Sequence, residues 1–194
     1  MTTGKIYFAT TNLKKLNEVK EFLKTDIDHM RISMTEIQGP SEKIVEHKLD
    51  QAAPFINPKD AVIVDDTSFS LEALGGFPGV YVKDFLEIGT RKIWEIVEKI
   101  GNKSATAVCS LGIAHYENGE IVKKVFSGKL KGSITEPEKD CKTEFGYIFI
   151  PDGFNGVLKN MPTDEKNRIS HRGIASRSLA AYMASKGIIK THGP

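Results

Sequence analysis

Hydrophobic and polar positions change period several times along the chain, and each change predicts an element. Ile6, Tyr7, Phe8 and Ala9 make 5–10 a short buried strand. Thr11 and Asn12 follow as helix caps, and Leu13, Leu16, Val19 and Leu23 recur at helical spacing behind them. Met30, Ile32 and Met34 alternate with Arg31, Ser33 and Thr35, which predicts a half-buried strand delivering Glu36 at its end. Across 41–56, Val45, Leu49, Ala52, Ala53 and Ile56 share one helical face, and Pro58 stops the helix. Residues 61–64 are continuously apolar, as in a strand covered on both faces, and the run ends in Asp65-Asp66-Thr67.

Further on, 74–79 is a loop rich in Gly and Pro. Ile93, Ile96, Val97 and Ile100 form a helical stripe closed by Gly101. Residues 106–116 and 121–130 read as long strands around Asn118-Gly119, a strong hairpin signal. Residues 147–150 predict a short strand before the turn Pro151-Asp152-Gly153. Thr163 is placed to cap a helix over 164–169. Ser170 would cap the last helix, with Ile174, Ser178, Ala181 and Tyr182 inward and Gly187 at its end. α/β segments at both ends around a long hairpin imply a mixed sheet carrying helices.

Composition narrows the class. The 194 residues favour one domain, 40% are hydrophobic and 27% charged, as in ordinary globular proteins. Lys and Arg total 27 against 25 Asp and Glu, a net charge of +2, so no general nucleic-acid binding is expected. Apolar runs are too short to span a bilayer, and 1–10 lacks the apolar stretch of a secretory signal. Cys109 and Cys141 form no CxxC pair and are expected as free thiols in a cytoplasmic protein.

Four groups carry candidate chemistry. Thr10-Thr11-Asn12 with Lys14-Lys15, at a strand-to-helix turn, places hydroxyls, an amide and ammoniums where helix N–H groups bind phosphate; the plainer reading is a capped helix with solvated lysines. Asp65-Asp66, at the end of a buried strand, offers oxygen ligands without His or Cys nearby, which points to Mg²⁺, with Glu36 a further ligand; a turn and helix cap is the alternative. Lys166-Asn167 with Ser170-His171-Arg172 sets cations at a helix start, opposing its dipole, either to bind an anion or base or as a solvated basic face. Phe145-Gly146-Tyr147 offers an aromatic shelf for a flat base or simply packs the core. Metal, phosphate donors and shelf together are the parts of a nucleoside triphosphate site.

In order along the chain, Thr10-Thr11-Asn12 with Lys14-Lys15 and Glu18, Asp65-Asp66-Thr67, Ala73-Leu74-Gly75-Gly76-Phe77-Pro78-Gly79, Phe145-Gly146-Tyr147, Met161-Pro162, Glu165-Lys166-Asn167 and Ser170-His171-Arg172 resemble the inosine triphosphate pyrophosphatase family. Glu36 with Gln38-Gly39 and Tyr81-Val82-Lys83 resemble its eukaryotic branch. The resemblance implies one bilobal domain over 1–194: an elongated two-lobed α/β fold around a long mixed β-sheet with flanking helices and the active site in the central cleft. It implies Mg²⁺-dependent hydrolysis of ITP, dITP and XTP to the monophosphate and pyrophosphate, with Mn²⁺ as a substitute metal, in a homodimer.

By motif, Thr10, Thr11, Asn12, Lys14 and Lys15 would hold phosphates, and Glu36 and Asp66 the metal. Asp66 would accept the proton of the attacking water, with Asp65 beside it. Lys48, Thr67 and Lys83 would line the substrate site, Phe145, Gly146 and Tyr147 would flank the base, and Lys166, Ser170, His171 and Arg172 would complete the pocket. The chain departs from the family pattern at two places. Tyr147 runs straight into Ile148, without the Asp-Pro the family usually carries there, and Thr11 stands where Gly is frequent. An alternative expectation is a nucleotide-binding module of the same fold with altered base choice or lost catalysis.

Overall fold

A computed structural model describes residues 4–190. The elements run β1 (Ile6–Ala9), α1 (Leu13–Leu23), β2 (Asp28–Met30), α2 (Ser41–Ala52), β3 (Ala61–Leu71), β4 (Pro78–Gly79), α3 (Val82–Phe85), α4 (Thr90–Ile100), β5 (Ser104–Glu117), β6 (Glu120–Ile134), β7 (Phe149–Pro151), α5 (Thr163–Ile169) and α6 (His171–Ser185). The strands form one mixed sheet in the order β2-β1-β3-β5-β6-β7, with β4 paired to β3. β1 runs parallel to both β2 and β3, while β4 and β7 pair antiparallel with their neighbours. The expected α/β class, mixed sheet and flanking helices are therefore what the chain forms.

The chain divides into two compact units. Among the described residues, the first comprises 4–66, 110–127 and 172–190. Its core packs Val45, Leu49, Ala52 and Ile56 of the α2 segment against Val62 and Val64 of β3 and Ala114 of β5. Gly112 makes that approach possible. A Cβ there would lie 2.4 Å from Val45 Cγ1 and 2.9 Å from Leu49 Cδ1. Asp60 ties the starts of β1 and β3, accepting from Lys5 N–H at 2.8 Å and Asn57 N–H at 3.2 Å. The second unit comprises residues 67–109 and 128–171, around Phe69, Leu71, Ile93, Val97, Ile134 and Phe149.

Several expectations shift. β3 does not end at the two acids but continues to Leu71, so Asp65 and Asp66 sit within a strand. Thr67 to Leu71 alternate, with Phe69 and Leu71 buried, and this period-2 stretch carries the strand on. The alternation at Met30, Ile32 and Met34 yields a strand only to Met30, because β1 ends opposite it in the pair Ala9↔Met30. The helix from Ser41 closes at Ala52 and tightens into a 3₁₀ turn at Ala53–Phe55. Phe145–Tyr147 is a 3₁₀ turn, and the strand begins at Phe149. Pro162, with no side-chain cap, opens α5, and Thr163 is already helical. In α6 the buried positions are His171, Gly173, Ala175, Ser176, Leu179 and Met183, whereas Ser178 and Ala181 face solvent. Leu13 is 53% exposed at the first turn of α1.

Candidate active site

The strand geometry of β3 decides how the two acids differ. Successive side chains of a strand point to opposite faces, so the neighbouring carboxylates take different nearest partners. Asp65 meets cations. Lys15 Nζ lies 2.7 Å from its Oδ2 and Arg172 Nη2 3.3 Å from the same oxygen. Arg172 Nη1 pairs with Glu18 at 2.6 Å, so α1, β3 and α6 are tied through one guanidinium. Asp66 meets α2 instead. Ser41 Oγ donates to its Oδ2 at 2.8 Å, and Lys48 Nζ stands 3.5 Å from its Oδ1.

Both carboxylates are buried, yet their proton affinities move apart. Burial pushes Asp65 up, but the charges of Lys15, Arg172 and Lys48, with the Lys15 hydrogen bond, outweigh it and hold the carboxyl below its usual range. For Asp66 burial prevails over Lys48, Ser41 and Lys15, and the carboxyl stays above its usual range. Paired acids with opposed shifts are the pattern that separates a fixed anion from a proton acceptor.

Lys48 is 6% exposed and serves three oxygens: the Asp65 carbonyl at 3.0 Å, Glu36 Oε1 at 2.6 Å and Asp66 Oδ1. Glu36 and Asp66 thus gather on one cation. Among the described residues no group of three or more His, Cys, Asp or Glu forms a metal cluster.

At the start of α1, Asn12 is the cap, its side chain accepting from Lys14 N–H at 3.0 Å and Lys15 N–H at 3.4 Å. Thr10 is buried, and its Oγ1 accepts from Asn12 N–H at 3.1 Å. Thr11 and Lys14 are exposed beside it. The first unit therefore brings together Thr10, Asn12, Lys15, Glu36, Lys48, Asp65, Asp66 and Arg172.

Thr67, Lys83, Phe145, Gly146, Tyr147, Lys166, Ser170 and His171 belong to the second unit. Phe145 stacks on Phe69 with ring centres 4.2 Å apart and planes 13° off parallel, so one face of the expected shelf is already covered by core. His171 lies against Phe145 at 5.8 Å. Lys159 pairs with Glu144 at 2.7 Å and stands over the Tyr147 ring at 5.3 Å, holding the turn from its other side. Ser170 is buried, its N–H donating to Lys166 carbonyl at 2.8 Å. Lys83 is exposed on α3 and makes no hydrogen bond or ion pair to the other candidates among the described residues.

Sequence reasoning gave no site role to Glu18 or Ser41. The signal for Ser41 was present: it lies seven residues before Lys48, two turns along one helix face.

The Ham1 family pattern matches residues 6–182. The chain belongs to the Ham1 family. A relative from Encephalitozoon cuniculi (strain GB-M1), named inosine triphosphate pyrophosphatase, is 63% identical over 190 residues, covering 98% of this chain and 99% of that one. Two solved Ham1 structures share the fold. The Staphylococcus aureus protein superimposes with a TM-score of 0.74 at 22% identity, covering 94% of this chain and 99% of its own. The Coxiella burnetii protein does so with a TM-score of 0.72 at 23% identity and the same coverage. The polar groups on β1, α1, α2 and β3 thus belong to a Ham1-family chain, as the ordered motifs imply.

Proposed function

We propose that this Ham1-family chain hydrolyses aberrant purine nucleoside triphosphates (ITP, dITP and XTP) to the monophosphate and pyrophosphate, and so cleanses the nucleotide pool. At 63% identity over nearly its whole length to the named relative, it is a nucleoside triphosphate pyrophosphatase, a hydrolase. The observation that carries the mechanism is the pair of adjacent buried β3 carboxylates with different partners, Asp65 on Lys15 and Arg172 and Asp66 on Ser41 and Lys48.

Mg²⁺, with Mn²⁺ as a substitute, fits the donor set. Glu36 and Asp66 already converge on a single cationic nitrogen, both offer only oxygen, and a hard cation takes one or two carboxylates alongside water and phosphate. When bound, the cation lowers the pKa of water and neutralises charge on the phosphates. Asp66 accepts the proton of the attacking water, its carboxylate held by Ser41 at Oδ2 and by Lys48 beside Oδ1. Water oxygen bonds to the α-phosphorus, the bond from that phosphorus to the bridging oxygen breaks, and pyrophosphate leaves with the electron pair. Asp65, neutralised by Lys15 and Arg172, keeps those cations in place rather than taking a proton. Lys15, Lys48 and the positive end of the α1 dipole offset the charge that develops on the leaving group.

For Thr11, Lys14, Thr67, Lys83, Phe145, Gly146, Tyr147, Lys166, Ser170 and His171 we carry over the substrate and base contacts the motifs imply. A keto oxygen accepts where adenine's amino group donates, so fixed donors such as the His171 ring reject adenine. A cytoplasmic homodimer completes the proposal; no described helix is long and apolar enough to cross a membrane.

The test is a panel of ITP, dITP, XTP, GTP and ATP with and without Mg²⁺. Metal-dependent monophosphate and pyrophosphate from the first three, with GTP and ATP spared, is expected; equal cleavage of every purine removes the base assignment. Bound triphosphate without turnover removes the enzymatic reading.

A further inference from the structure

Ser41 and Lys48 hold Asp66 by its two separate oxygens, and Ser41 is itself held from behind. Its hydroxyl carries one proton. Ser41 Oγ points its one proton toward both the carboxylate Oδ2 at 2.8 Å and Ser110 Oγ at 3.1 Å, and the nearer, charged oxygen takes the larger share. Ser110 is fully buried, and its remaining neighbour in the chain of hydroxyls is Ser127 Oγ at 2.9 Å. Either hydroxyl of the Ser110–Ser127 pair can donate, and the Ser127 side chain reaches solvent. The three hydroxyls therefore form one connected chain that ends on one oxygen of Asp66. Gly112, two residues beyond Ser110 on the same face of β5, lets α2 come close enough for the Ser41–Ser110 contact.

We infer that Ser41 and Ser110 are positioning residues: the run Ser127–Ser110–Ser41 locks the Asp66 carboxylate with Oδ2 occupied and Oδ1 turned to Lys48. The inference rests on the reading of Asp66 as the proton acceptor. Ser110 and Ser127 lie in the hairpin strands, outside every motif that marks the family.

The test combines kinetics with crystal structures of metal-free protein. Ser41→Ala should lower kcat about tenfold, the scale of one charge-assisted hydrogen bond, with KM changed less than about twofold. Ser41→Thr should restore it. Ser110→Ala should lower kcat about threefold alone and add nothing in the Ser41→Ala background, because it acts through Ser41. Ser127→Ala, at the exposed end, gives a milder version should Ser110→Ala fold poorly. In crystals, Asp66 should keep one carboxylate orientation in the natural sequence and lose it in Ser41→Ala. An unmoved carboxylate in Ser41→Ala, an unchanged kcat, or additive effects of Ser41 and Ser110 would overturn the inference. If the natural protein hydrolyses nothing, the proposed function fails, and the crystal comparison still decides the positioning.

Discussion

Asp65 and Asp66 show how one bond along a strand separates structure from chemistry. Asp65 neutralises two cations, so Asp65→Asn strands buried positive charge. The expected loss is about 3 kcal/mol, the low end for a broken buried pair because Lys15 reaches solvent, read by denaturant unfolding. Asp66→Asn should act the other way round. It removes the proton acceptor and should lower kcat at least about a hundredfold, with the unfolding midpoint held or raised. A third carboxylate gives a pH signature. Burial pushes Asp60 up, but hydrogen bonds from Lys5 and Asn57 overcome this and hold it below its usual range. Its contribution to stability is present above the unfolded-state carboxylate pKa and is lost as pH falls through the lower folded value. Acid unfolding curves of Asp60→Asn should accordingly fall less steeply in that window than those of the natural sequence.

Elements were legible where the pattern had contrast. Asn118-Gly119 between β-prone runs marks the β5–β6 turn, and both residues take positive φ, 52° and 84°. The α2 face was equally plain, since its apolar positions all became buried. α6 was not: its small and polar residues (Gly173, Ala175, Ser176, Ala180, Ala181) give no hydrophobic stripe from which to choose the inward side. β3 was cut short because Thr67 to Leu71 look polar beside the apolar run before them, although their alternation is that of a half-buried strand. Two glycines separate stability from positioning. Gly119→Ala should cost about 1 kcal/mol through strain at positive φ and leave kcat unchanged. Gly112→Ala should cost about 1–3 kcal/mol by overpacking Val45 and Leu49, and should also lower kcat, because α2 carries Ser41 and Lys48. Unfolding and steady-state kinetics on both variants check the contrast.

At the scale of the whole molecule, the motifs spread along the chain sort by unit. Acids, phosphate loop and Lys48 fall in the first, and the aromatic turn and most of the C-terminal cluster in the second. No single window could show this, because each unit is assembled from separate stretches joined through β3, β5 and β6. The ordered motifs revealed which chemistry to expect. They did not reveal that Arg172 is committed to Glu18 and Asp65, since that pairing joins positions 154 and 107 residues apart. The central claim is water attack at the α-phosphorus, and the most direct measurement is ITP hydrolysis with Mg²⁺ in ¹⁸O-labelled water. The account predicts label in inosine monophosphate and unlabelled pyrophosphate. Release of orthophosphate, or label in the pyrophosphate, would contradict it.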